Sequence, residues 1–376
     1  MSYPMSLEAP RWRSAAVVPP PDPEPEPGLP VVIVSTGATL DVQLRLTAAA
    51  SVELGGTVTA LAAGEHVVST TGNRSVDLLV TPWSACEVIN LGYSGGDGGD
   101  QGAEYLADAL SHHDTQAISA LSGLSNAVAM KHLLISETAL TALDCSGCAA
   151  LERIEAYYAH DLSTVNLTGC VSLRRPCFED CNLGGVYDIS MTANLRDIRG
   201  TANRWTGILF PANRSQVWHI CTMGNLYAGW GADFSTFPAL RQLWQSYSQL
   251  GGVVRIRSGQ LGSVWLDGCA LVTELDIAGQ MAANNYEGVV LARGCVGLTA
   301  VDVMNNPGLR TGDFRDGALT EALVDGILAA LVAAGGDTSE TPRTLMLEGG
   351  TNATPSSTGL TNVATLRARG WTVTHN

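Results

Sequence analysis

The chain has 376 residues, with 21 basic against 36 acidic side chains and a formal net charge of −15. That balance excludes nucleic-acid binding through a basic stripe of phosphate contacts. Hydrophobic residues make up 45 %, enough for a sizeable core and too much for wholesale disorder. The longest apolar stretch, 318–334, is broken by Glu321, Asp325 and Gly326, so no membrane span is expected.

Residues 1–18 carry Pro4, Glu8, Pro10, Arg11 and Arg13 without an apolar run, which does not suit a secretory signal. Nine cysteines in a chain this long then read as reduced thiols rather than a disulfide framework. Residues 17–30 alternate proline with acid, which gives an extended, semi-rigid arm. Ahead of it stand Tyr3, Arg11, Trp12 and Arg13. Residues 1–30 are therefore either a disordered tail or a peptide that docks on a larger assembly with Trp12 as its anchor.

Residues 31–102 read as a small antiparallel β domain. Leu40, Val42, Leu44 and Leu46 alternate, and Gly pairs separate further short strands. Its exposed edge could pair with a neighbour. A glycine-rich loop closes it at 92–102, and Leu106 and Leu110 give 103–117 a helical spacing.

From 118 to 320 the chain repeats. Residues 140–151 (LTALDCSGCAAL) match 162–173 (LSTVNLTGCVSL) at a spacing of 22, and the weaker match between them makes the true period 11. The unit is L-x-x-L-x-L-x-x-(N/C)-x-x, with Leu298, Val301, Val303 and Asn306 among its cleanest examples. Its L-x-L step is a strand facing inward at alternate positions. The Asn or Cys three residues later can satisfy backbone groups where the chain leaves the strand. Each 22-residue turn thus has two strand-like half-turns, on opposite sides of a flat coil. Roughly nine turns at the ~4.8 Å strand spacing give a rod of about 45 Å. Leu143, Val165, Val264 and Val301 should be buried. Gly184, Gly200 and Gln245 stand where leucines are expected.

These units resemble the leucine-rich repeat, and residues 177–183 (CFEDCNL) resemble its bacterial-surface variety, F-x-x-C-x-x-L. Beyond the repeat, 319–336 and 358–370 have helical spacing while 343–350 and 371–375 read as strands, which would cap the last turn at 321–376. This end, closing in RGWTVTHN, is similar to the ends of leucine-rich-repeat proteins of tailed-phage particles. The expected fold is mainly β: a flat parallel leucine-rich-repeat-like solenoid at 103–320, a small N-terminal antiparallel β domain and an α/β C-terminal cap.

Cys145 and Cys148 with Cys177 and Cys181 have a zinc-like spacing, but Cys145, Cys148 and Cys181 fall on repeat positions, so no metal is expected. His112 and His113 would point about 100° apart on a helix and suit a solvated helix end. Asp97 and Asp100 lack the further acids of a calcium loop. No phosphate loop or nucleophile elbow is present, and no cofactor is implied.

The fifth place of each half-turn lies between two inward residues and should face solvent. One side reads Asp144, Asn166, Asp188, Phe210, Arg255, Asp276 and Asp302, mainly acidic. The other reads Glu155, Cys177, Arg199, Cys221, Trp244, Trp265, Leu291 and Asp313. Trp244 and Trp265 should stand on adjacent turns of one face, with Trp218 and Tyr247 nearby, as a partner- or glycan-binding surface. A covered second core is the other reading of these aromatics.

The layout and the resemblance imply a non-enzymatic structural or adhesion protein of a phage-like particle, a fibre, spike or tail adhesin made in the host cytoplasm. The arm would bind other particle proteins and the solenoid a host-surface glycan or protein, with homo-oligomerisation compatible. A bacterial surface leucine-rich-repeat adhesin is the alternative, and a polysaccharide-acting enzyme the third reading.

Overall fold

A computed structural model describes residues 29–35, 39–71, 74–91, 118–227, 231–281, 288–335 and 342–376. The docking residues Tyr3, Arg11, Trp12 and Arg13, the loop at 92–102, the helix expected at 103–117 and the insertion near 284–286 lie outside them. The fold is the expected one: mainly β, with a solenoid of about eight turns, a small antiparallel sheet at the N-terminus and two helices near the C-terminus.

One side of the coil is a single 14-stranded main sheet. Its solenoid part is nine parallel short strands, from His132–Leu134 to Thr311–Asp313. They stack in register: Leu243 lies opposite Val264, and Val264 opposite Val290. The other side is broken into pieces. Ala142–Asp144 pairs with Thr164–Asn166, Gly184–Asp188 with Arg204–Leu209, and Gly231–Phe234, Gly251–Ile256, Leu271–Asp276 and Ala300–Asp302 form a third sheet.

The N-terminal strands join the coil directly. Val31–Ser35 pairs antiparallel with Ile118–Ser122, and Cys86–Asn90 runs parallel to His132–Leu134 as part of the main sheet. The first turn therefore meets paired strands rather than solvent. At the other end, Arg343–Met346 and Trp371–Thr374 extend the main sheet by two parallel strands. Helices α1 (Glu321–Ala334) and α2 (Ser357–Ala368) pack on one another. Thr320 caps α1 by accepting from the Leu323 amide, and Gly335 ends it at φ 72°.

The core lies between the two sides. Leu143 and Val264 are buried as expected. Val165 and Val301 are only half-buried, a correction with two local causes. Val165 borders a cavity of about 300 Å³, and Val301 sits on the last strand of its sheet, where α1 takes over.

The Asn/Cys position works as a ladder. Asn225 Nδ2 donates to Gly200 O on the preceding turn (2.7 Å), and its Oδ1 accepts from the Trp205 amide (3.0 Å). Asn203, Asn306 and Asn352 do the same. Cys170, Cys181, Cys269 and Cys295 donate a thiol to a carbonyl one turn back, at 3.0–3.1 Å. The residue just before the ladder position turns through the left-handed region: Gly224 at φ 69° before Asn225, and Ala202 at φ 55° before Asn203. That is why glycine so often precedes the Asn or Cys.

The three turns that lacked leucine are each repaired by neighbours. A Cβ on Gly200 would fall 1.9 Å from the Trp205 ring, so the glycine makes room for a fully buried indole. Gln245 is buried, and its Nε2 donates to Thr222 Oγ1 at 2.7 Å. At Gly184 the place is taken by Leu183, one residue earlier and buried in the core.

Candidate recognition face

Each short main-sheet strand turns its middle residue inward and its two flanking residues outward. In-register parallel stacking then sorts the outward residues into columns. Glu155, Cys177, Arg199, Cys221, Trp244, Trp265, Leu291 and Asp313 are successive Cα partners, the column read from the sequence. A second column contains Arg153, Arg175, Asp197, His219, Gln242 and Ser263.

Trp244 and Trp265 stack face to face, with centroids 4.2 Å apart and planes 8° from parallel. Equivalent side chains on neighbouring parallel strands sit about one strand spacing apart, close to ring-stacking distance. Both rings are half-buried. Trp244 Nε1 donates to Ser263 Oγ at 3.0 Å, whereas Trp265 Nε1 is buried without a partner among the described residues. His219 meets Trp244 edge-on at 4.8 Å, and Trp218 stacks on His219 at 5.3 Å. Trp218, His219, Trp244 and Trp265 thus form one aromatic run over three turns. Tyr247 lies outside the run, 75 % exposed beyond its strand and against Gly268.

The rest of the column corrects an expectation. Glu155, Cys177, Arg199, Cys221 and Asp313 point away from the coil interior, yet all are buried. Long side chains lie along the face in ion pairs rather than rising from it. Arg153 pairs with Glu155. Asp197 Oδ2 lies 3.0 Å from Arg175 Nε and 3.1 Å from Arg199 Nε, and its Oδ1 lies 2.8 Å from His219 Nδ1. Burial pushes the Cys221 thiol up to about 12 and lowers the Arg199 guanidinium from its ordinary value. Burial, and then the nearby Asp197 charge, raise Glu179. Asp197 and His219 went unnoticed in the sequence; the signal was their column, two places before Arg199 and Cys221.

The acidic column on the other side is built of turns. Asp144, Asp188 and Asp233 each accept the amide of the residue two places on, at 2.9 Å. These bonds hold their carboxyls below the usual range; for Asp144 the Ser146 amide is the largest cause, for Asp188 and Asp233 the hydroxyls of Ser190 and Ser235. Phe210 does not belong to this column. A register shift after Gly185 places Leu209 opposite Asp188, and Phe210 packs edge-on against Phe237 at 4.9 Å.

The four zinc-spaced cysteines divide between the two sides of the coil, and no group of three or more His, Cys, Asp or Glu is placed to hold a metal among the described residues. His112, His113, Asp97 and Asp100 lie outside those residues.

No protein-family model matches the chain, and no curated protein matches it. Among solved structures it is similar to an internalin, inlF, from Listeria monocytogenes. The match has 12 % identity and a TM-score of 0.39, over 66 % of this chain and 68 % of that one. At that level the likeness carries nothing about partners or location.

Proposed function

We propose that this chain is a non-enzymatic recognition protein whose binding surface is the outward face of the main sheet around Trp244 and Trp265. The observation that carries this is the placement of the indole pair. Leu243, Gln245, Val264 and Leu266, the inward residues beside them, are buried and close the core without them. The two rings are held half-exposed on a rigid sheet where the fold does not need them. Covering such a ring contributes a few kcal/mol at ~25 cal/mol per Å². Because the rings stack on each other, they offer their edges, with N–H and C–H groups, to a host-surface glycan or protein. Trp218 flanks the pair, and Tyr247 is a more distant, freely exposed contact.

The finer reading is a fibre, spike or tail adhesin of a phage-like particle, docked through residues 1–30 with Trp12 as anchor. Its support is the sequence of the arm and of the C-terminal end. The Trp244→Ala, Trp265→Ala double variant should keep its circular dichroism and lose adsorption to host cells; unchanged adsorption would make the face structural. Mass spectrometry of purified particles reads the location. Detection in the cell envelope instead would assign the same face to a bacterial surface adhesin.

A further inference from the structure

The main sheet has two ends. Among the described residues its strand order closes at Gly64–Thr71 on one side and at Trp371–Thr374 on the other. Gly64–Thr71 pairs antiparallel with Thr39–Leu46 along all eight of its residues, without a register shift. Among the described residues no backbone hydrogen bond reaches its other edge. Trp371–Thr374 is half as long, with four residues.

An antiparallel strand bonded on one side points the N–H and C=O groups of every second residue away from the sheet, an array that a further strand can pair with. Edge strands are commonly guarded by proline, lysine or a bulge. Gly64–Thr71 has no proline, no lysine and no bulge. Its one carboxylate, Glu65, is turned back onto Arg45 of the neighbouring strand, with Oε1 2.8 Å from Nη2. The His66 ring is held by Ala62 O, at 2.8 Å. Val67 and Val68 stand at the middle of the strand, and Val67 is 48 % exposed.

We propose that a second copy of this chain occupies the edge: Gly64–Thr71 pairs antiparallel with itself across a two-fold axis, joining two 14-stranded sheets into one. An antiparallel edge is self-complementary, because a two-fold brings each donor opposite an acceptor. With Val67 on the axis, Glu65 faces Ser69 of the second copy and His66 faces Val68. With Val68 on the axis, Val67 faces Ser69 and Glu65 faces Thr71. Neither register sets Glu65 against itself, so no like charges meet across the pair. The heterologous pairing, Trp371–Thr374 of one copy on Gly64–Thr71 of the next, would satisfy only half of the long edge and would run on as an open fibre. The two-fold passes through the sheet, so both outward faces lie on the same side of the joined sheet. The dimer is therefore bivalent for whatever that face binds, and its formation does not depend on that binding.

The test is sedimentation of the full chain from micromolar to sub-millimolar concentration. Salt at ~0.15 M screens the repulsion between two chains of net charge −15 beyond about 8 Å. Eight paired residues are few beside the roughly 20–30 a side of a standard interface, so the dimer should be weak and grow with concentration. Val67→Lys, a change at an exposed side chain, should keep the circular dichroism of the parent and weaken dimerisation by about tenfold or more. Nitroxide labels locate the contact, since all nine native cysteines are buried. Labels on Val67→Cys should show dipolar broadening between copies. Labels on Thr372→Cys, at the far end of the sheet, should show none, alone or mixed with labelled Val67→Cys. The Trp244→Ala, Trp265→Ala variant should dimerise as the parent does, so failure of the recognition face and of this edge are told apart. A monomer at every concentration, broadening from Thr372→Cys, or undiminished dimerisation of Val67→Lys overturns the proposal.

Discussion

Asparagine and cysteine share one repeat position but not one set of bonds. Asn225 donates to Gly200 O and to Thr222 O and accepts from the Trp205 amide. Cys269 donates one thiol to Gln245 O, at 3.1 Å, and its sulfur is a weak acceptor at best. Removing Asn225 takes a donor from two carbonyls and leaves the Trp205 amide without its acceptor; removing Cys269 loses one weak donor. Asn225→Ala should therefore cost about 2–4 kcal/mol and Cys269→Ala about 1 kcal/mol, read from urea unfolding of each variant. Equal costs would show that packing, not the ladder bonds, sets the stability of the turn. The pattern was legible in the sequence because Asn and Cys recur three places after an L-x-L step. Gly200 was not, since its partner Trp205 lies five residues on, where no fixed repeat offset points.

At the scale of the turn and strand, the acidic column has a consequence for pH. Asp144, Asp188 and Asp233 have folded-state pKa values below their ordinary ones, because amides and serine hydroxyls of their own turns bond the ionised form. Arg257 is the largest cause of the same shift at Asp276. A depressed carboxylate contributes stability that is present above its unfolded pKa, about 3.9, and is lost as pH falls through the folded value. Glu179 and Asp267, raised chiefly by burial, act with the opposite sign. The melting temperature should fall on acidification below about pH 4. The Asp144→Asn, Asp188→Asn, Asp233→Asn triple variant keeps the accepting oxygens and loses the titration, so its acid limb should be shallower. A triple variant with the parent's acid limb would place the effect elsewhere. The recurrence of Asp144, Asp188 and Asp276 at one repeat place could be read along the chain, but Asp233 and the shift after Gly185 could not: one extra residue in a strand leaves composition and spacing nearly unchanged.

For the molecule as a whole, the solenoid was legible because the same eleven-residue unit recurs for two hundred residues, and repetition outweighs any single poor turn. The columns of the main sheet followed from that period alone, Trp244 opposite Trp265 included. Exposure did not follow from it. A fifth-place residue faces away from the core whether or not its neighbours fold over it: Glu155 is ion-paired with Arg153 and Arg199 with Asp197, and both are buried. Gly184 and Gly200 read only as missing leucines; that Leu183 fills the first place one residue early and the Trp205 ring the second is set by packing that a fixed offset does not carry.

The break between the far-side sheets also has a consequence for exchange with solvent. Going along the chain, the strand Thr164–Asn166 is hydrogen-bonded on one edge, Arg175–Glu179 on both, and Gly184–Asp188 again on one. Amide protons exchange with solvent through local openings, and a strand held on one edge opens more readily than one held on two. Deuterium uptake read residue by residue should therefore alternate, fast, slow and fast, across a stretch of chain about one turn long. The protected middle strand belongs to the main sheet, which alone carries strand pairing unbroken past the point where the far side changes sheets.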